Sequence, residues 1–169
     1  MHNIGELIIY SGHGICRIDN ICEKTFAGRK KTYYVLHPIE NSQGLTINAP
    51  VDNEKNILKL MDKEEAETII ASFHTDDGAD WIEKAQLRHQ TFSKIINSGN
   101  RKEISRVANA LIRKKIETEI NGKKFYENDS RLLKQIENIL FKELAIALDL
   151  TEEEVSDRIY KLISEKVKI

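Results

Sequence analysis

From Asp62 to Ile169 the sequence contains no proline, whereas both prolines, Pro38 and Pro50, and five of the eight glycines fall before about Leu60. Proline breaks a helix interior because it lacks the amide proton and clashes with the preceding turn, so its absence leaves the second part free to form long helices. The first part is rich in β-branched and aromatic residues, and its glycines cut it into runs too short for anything but strands. The chain is therefore predicted to be α+β, with a β domain over residues 1–60 and an all-α domain over residues 61–169.

Strands are predicted from Leu7 to Tyr10, Gly14 to Phe26, Lys31 to Ile39 and Leu45 to Pro50, with turns at Ala27-Gly28 and Asn41-Ser42-Gln43-Gly44. Four or five short antiparallel strands in so few residues favour a small, strongly curved barrel of SH3 or Tudor type. In Tyr33-Tyr34-Val35-Leu36 the period of two sends one tyrosine inward and the other outward.

The helical part is punctuated by caps. Asp62-Lys63-Glu64-Glu65 opens a first helix, and a second is expected from about Asp80 to Ile96, stopped by Asn97-Ser98-Gly99. Asn100, with Glu103 three residues on, caps a third that runs to about Lys115 or beyond. Asn121-Gly122 interrupts the pattern. A long helix from about Glu127 to Leu148 and a last one opened by Thr151 and Glu154 complete the chain.

Charge is unevenly placed. The whole sequence carries net −1, yet the segment from Lys84 to Lys124 holds eleven basic and three acidic residues, net +8. Apolar residues punctuate this segment at helical spacing, so the charges belong to the outer faces of folded helices rather than to a disordered tail. A polyanion, and nucleic acid in particular, is the natural partner.

Other classes find little support. With 40% apolar and 31% charged residues the composition is that of a soluble globular protein. The opening MHNIGELIIY is not a signal peptide, and no run of about eighteen apolar residues occurs, so a cytoplasmic, nucleoid-associated protein without membrane contact is expected. Cys16 and Cys22 are too few for a disulfide scaffold or a four-cysteine zinc site, and His2, His13 and His37 lack ligand spacing. His13, between Gly12 and Gly14, has no nucleophile or acid at a suggestive spacing. Neither an enzyme nor a bound metal or cofactor is expected.

Several stretches together resemble a known family. Ile4-Gly5-Glu6-Leu7-Ile8-Ile9-Tyr10, Gly12-His13-Gly14, Tyr33-Tyr34-Val35-Leu36 and Ala49-Pro50-Val51-Asp52-Asn53 are similar to the RNA-polymerase-interacting domain of the CarD family of bacterial transcription regulators. Ser98-Gly99-Asn100, Arg106-Val107-Ala108, Leu132-Leu133 and Glu143-Leu144-Ala145 resemble the helical half of the same family. The β module also resembles part of transcription-repair coupling factors, although no GxxxxGK[ST] loop is present.

The resemblance implies an adaptor with two functional parts. The β module would hold the polymerase β subunit, with Lys24, Thr46, Ile47 and Asn48 as contacts. The helical domain would meet double-stranded promoter DNA at the upstream edge of the bubble and stabilise the open complex. Trp81, the only tryptophan, would be the apolar wedge at the start of the second helix. Lys84, Arg88 and Lys94 on that helix, and Arg101, Lys102 and Arg106 on the first turns of the third, would surround it and cradle phosphates. Arg113-Lys114-Lys115 and Lys123-Lys124 could equally serve solubility. A monomer suits such an adaptor. Two alternatives stand beside this reading. In one, the second and third helices form a stand-alone helix-turn-helix in which Arg101, Ser105, Arg106 and Asn109 read bases. In the other, the chain is a protein-protein adaptor without DNA binding.

Overall fold

The computed structural model describes residues 1–40 and 43–167; of the predicted turn at 41–44, Asn41 and Ser42 lie outside the described residues. The chain divides into two compact units, Met1–Leu60 and Met61–Ile169.

The first unit is a five-stranded antiparallel sheet. Strands β1 (Leu7–Tyr10), β2 (Gly14–Phe26), β3 (Arg29–Pro38), β4 (Ile47–Pro50) and β5 (Ile57–Lys59) lie in the order β4-β3-β2-β1-β5. The alternation is the expected one: Tyr34 is buried, its neighbour Tyr33 is only half-buried, and Ile8, Cys16, Ile18, Leu36, Ala49 and Ile57 join Tyr34 in the core. The expected barrel does not close. Among the described residues no ladder joins β4 to β5, and these four- and three-residue strands remain the two edges of an open sheet. Closure needs a continuous staggered register around the circle. Here the only described irregularity in a ladder is the shift between Ile18 and Asn20 in the long β2–β3 pairing. The fifth strand, preceded by a 3₁₀ turn at Glu54–Asn56, has little sequence signature of its own.

The second unit is helical, and three of its helices carry the side-chain caps the sequence predicts. Helix α1 (Lys63–Thr75) is capped by Asp62, which accepts from the Glu65 amide at 2.8 Å. Helix α3 (Arg101–Ile120) is capped by Asn100, which accepts from Glu103 at 3.1 Å. Helix α6 (Glu152–Ser164) carries the full reciprocal box between Thr151 and Glu154. Helix α4 (Glu127–Ile136) continues through a widened π turn at Glu137–Phe141 into α5 (Lys142–Leu148), so residues 127–148 form one continuous rod, as its pattern predicts. That rod ends where Asp149 adopts φ 54° and the Leu150 amide bonds back to Ala145 at 2.9 Å.

Helix α2 (Ala85–Asn97) is the exception to the predicted boundaries: it starts five residues after Asp80, so Trp81 precedes the helix instead of opening it. Ile70, Phe73, Phe92, Val107, Leu111, Leu132, Leu140, Phe141, Leu144, Val155 and Ile159 build the core of this unit. A buried carboxylate lies beside it. Glu143, 1% exposed, accepts from the Met61 amide at 2.8 Å and from Arg101 at 2.7 Å, joining the approach to α1, the first turn of α3 and α5.

Candidate nucleic-acid interface

Residues 76–84, between α1 and α2, carry Trp81, and α3 holds them off the helical path. The Asn109 amide nitrogen donates to the Asp76 carbonyl at 2.9 Å, and Arg106 pairs with the Asp76 carboxylate at 3.2 Å while donating to the Gly78 carbonyl at 3.1 Å. The Ala79 amide donates to the Arg106 carbonyl at 3.0 Å. Gly78 makes this approach possible: at φ 84°, a Cβ there would stand 2.9 Å from both the Arg106 carbonyl oxygen and the Asn109 Cβ. From the far end of the chain, Lys166 donates to the Asp76 carbonyl at 3.0 Å and to the Asp77 carboxylate at 2.7 Å, with Arg113 on the same carboxylate at 3.3 Å. The bond and charge of Lys166, followed by the charge of Arg113, hold the Asp77 carboxyl below its ordinary value.

Arg88 secures the other end of the segment. It is 5% exposed and forms a two-point pair with the 3%-exposed Asp129 of α4, Nε at 2.9 Å and Nη2 at 2.8 Å. Its remaining nitrogen donates to the carbonyls of Ile82 at 2.7 Å and Glu83 at 3.2 Å. Those bonds occupy the Ile82 and Glu83 carbonyls, which would have to accept from residues 86 and 87 if the helix began earlier, and so account for its late start. The same guanidinium lies 4.4 Å from the centre of the Trp81 ring.

Trp81 is partly buried, not sealed. It packs edge-on against Phe92, with ring centroids 6.2 Å apart at 66°, and the Lys114 ammonium stands 5.4 Å from its ring centre. It lines two clefts. One, of about 300 Å³, is bounded by Asp77, Asp80, Glu83, Ala110, Arg113, Lys114 and Glu117. The other, of about 230 Å³, is bounded by Glu83, Arg88, Lys114, Thr118, Lys124, Phe125, Tyr126 and Asp129.

The predicted contacts are therefore sorted. Lys84, at the N-cap position of α2, is exposed beside Trp81 in sequence, and Lys94 and Lys102 are exposed elsewhere on α2 and α3. Arg88 is not a surface cation; it is consumed by Asp129 and by the backbone. Arg101 is held by Glu143 and lies 3.6 Å from Glu65, while Arg106 is held by Asp76, so the expected cradle at the start of α3 is largely neutralised from within. Lys114, which does share a wall with Trp81, lies thirteen residues along α3 from Arg101, about 20 Å at helical rise. The helix-turn-helix reading loses its readers, because Ser105 and Asn109 are 3% and 2% exposed and face the core. Lys114 and Lys124, which on sequence could equally serve solubility, are the lysines lining a cleft with the indole. The sequence signal for them was the second half of the cationic segment; the fold, not the spacing, brings it to Trp81.

On the sheet, Lys24 donates to the Asn48 side chain at 3.0 Å, so these two predicted polymerase contacts share one outward face. Thr46 lies just before β4 and bonds to His37 at 3.1 Å, whereas Ile47 packs partly against the sheet core. The register pairs Lys24 with Lys31 and Phe26 with Arg29, which places Phe26, Arg29 and Lys31 on the face of Lys24. Phe26 is 57% exposed and meets Tyr33 edge-on at 5.8 Å. A two-residue turn at Ala27-Gly28 fixes that pairing, so the sequence held this signal too.

Comparison with family models gives two matches. The model described as CarD-like/TRCF RID domain covers residues 2–61. The model described as CarD, C-terminal domain covers residues 68–160.

Proposed function

We propose, from the premise that the chain belongs to the CarD family and is thus an RNA-polymerase-interacting transcription factor, that it holds polymerase through its sheet and braces promoter DNA through its helical unit. It acts in the cytoplasm as a non-enzymatic monomer. The β subunit is the partner of the face bearing Lys24 and Asn48, extended by Phe26, Arg29 and Lys31. Trp81 is the wedge at the upstream edge of the bubble, and Lys84, Lys114 and Lys124 are the phosphate contacts nearest to it. Lys94 and Lys102 add more distant charge.

The observation that carries this reading is the indole itself. It is the sole tryptophan, it stands in a segment fixed at both ends by buried side chains, and its ring meets a lysine that no carboxylate occupies among the described residues. A rigid apolar plate flanked by cations can lean on a partly unstacked base step while neutralising the adjacent backbone. Anchoring matters because a wedge that yields on contact would transmit no stabilisation to the junction.

The test is open-complex lifetime on a promoter, with and without protein. Wild type is expected to lengthen it, and Trp81→Ala to lose most of that effect while still binding polymerase. No effect of the wild-type protein, or full effect of Trp81→Ala, removes the mechanism. Lys114→Ala and Lys124→Ala should each lower the salt slope of DNA binding by about one unit.

A further inference from the structure

The two clefts beside Trp81 differ in charge. Around the larger, Asp77, Asp80, Glu83 and Glu117 stand against Arg113 and Lys114, net −2. Around the smaller, Arg88, Lys114 and Lys124 stand against Glu83 and Asp129, net +1. Pairing sharpens the contrast. Asp77 is taken by Lys166 and Arg113, and Asp129 by Arg88, whereas Asp80, Glu83 and Glu117 are exposed and form no ion pair among the described residues.

A bland explanation covers part of this. Asp80 and Glu83 precede α2, where negative charge is favoured by the helix dipole. Glu117 has no such reason: it sits inside α3, three residues from Lys114, and the fold brings it to the same cleft wall as the other two.

We propose that Asp80 and Glu117, which line the larger cleft and not the smaller, are specificity-determining residues that make the wedge one-sided; Glu83 lines both clefts and does not discriminate between them. Asp80 and Glu117 repel the sugar-phosphate backbone from the larger cleft, so the duplex approaches along the smaller one, which adds Lys124 and Tyr126 to the shared Lys114. This rests on Trp81 acting as the DNA wedge, and adds the direction from which DNA arrives. Repulsion of this kind lowers total affinity and raises discrimination, since it removes bound arrangements in which phosphates are neutralised but the ring misses the junction.

The experiment compares the full-length wild type with the double variant Asp80→Asn, Glu117→Gln, both at exposed positions outside the core. Two quantities are measured: affinity for a fully paired duplex at moderate salt, and open-complex lifetime with polymerase at saturating protein. The variant is expected to bind duplex roughly two- to fivefold more tightly, as the loss of two screened repulsions implies. It is also expected to lengthen the open complex less than wild type, because part of the bound population is misdirected. Tighter binding with equal or greater lifetime overturns the proposal, since the carboxylates would then only oppose binding. Unchanged or weaker duplex binding overturns it as well. A third protein, Lys114→Ala with Lys124→Ala, separates the two readings. If it binds duplex as wild type does, the cationic cleft itself is wrong; if it weakens while the double variant fails, only the one-sided wedge falls.

Discussion

At Ala27 the backbone takes φ 51° and at Gly28 φ 75°, a pair of positive angles that a two-residue hairpin turn requires because its twist must match that of the flanking strands. Glycine adopts this without cost; alanine does not, since its Cβ crowds the carbonyl. Ala27→Asn, which tolerates that region through local hydrogen bonding, should stabilise the β2–β3 hairpin by about 0.5–1 kcal/mol, seen as slower amide exchange in residues 22–32. Exchange at the wild-type rate would show that the turn stores no such strain. Cys16 gives a second residue-level outcome. Burial pushes its thiol up to about 11 from an ordinary 9.0, so the folded protein keeps it neutral where an unfolded chain would ionise it. The sign follows: stability from this group is complete below about pH 9 and is lost as pH rises toward 11. At neutral pH, alkylation should mark the half-buried Cys22 well before the buried Cys16, read by peptide mass mapping. Equal labelling would place Cys16 outside the core.

Single elements show how far local pattern reaches. The caps at Asp62, Asn100 and Thr151 were legible because each is a contract between residues three apart, and the strands β1 and β2 were legible because period two and bounding glycines are local as well. The start of α2 was not. Asp80-Trp81-Ile82-Glu83 reads as an acidic first turn, but Arg88 withdraws the Ile82 and Glu83 carbonyls, and Arg88 is itself committed by Asp129, 41 residues away. Long-range pairing of the same kind hid that Arg88, Arg101 and Arg106 are held by carboxylates within the fold. It also makes a sharp prediction. Arg88→Ala leaves the Asp129 carboxylate buried without its partner and should cost the helical unit about 3–5 kcal/mol, followed in urea by the fluorescence of the lone tryptophan. Replacing both, Arg88→Met with Asp129→Leu, should recover most of that loss, because the burden lies in the orphaned charge more than in the absent pair. A loss below about 1 kcal/mol for Arg88→Ala would mean that water reaches Asp129 and that Trp81 is not rigidly seated.

The whole molecule gains its function from connection. Each unit has its own hydrophobic core, one around Ile18, Tyr34 and Leu36 and the other around Phe73, Phe92 and Leu111, so neither needs the other to bury its apolar side chains. What the covalent junction near Leu60 supplies is concentration. On the function proposed above, the helical unit would search for promoter DNA from a tether once the sheet is bound to polymerase, and a flexible or short junction confers effective concentrations in the millimolar range. Weak, salt-sensitive contacts such as those proposed for Lys84, Lys114 and Lys124 would then suffice at physiological ionic strength, where the free helical unit would dissociate. Cutting the chain between residues 60 and 61 should leave the first fragment able to bind polymerase and the second able to bind duplex at low salt. Added together at micromolar concentration, they should restore only a small fraction of the intact protein's effect on open-complex lifetime, and raising the helical fragment toward millimolar should recover it progressively. Full recovery at stoichiometric amounts would show that the helical unit finds its site unaided, and the role assigned to the sheet would have to change from tether to something else.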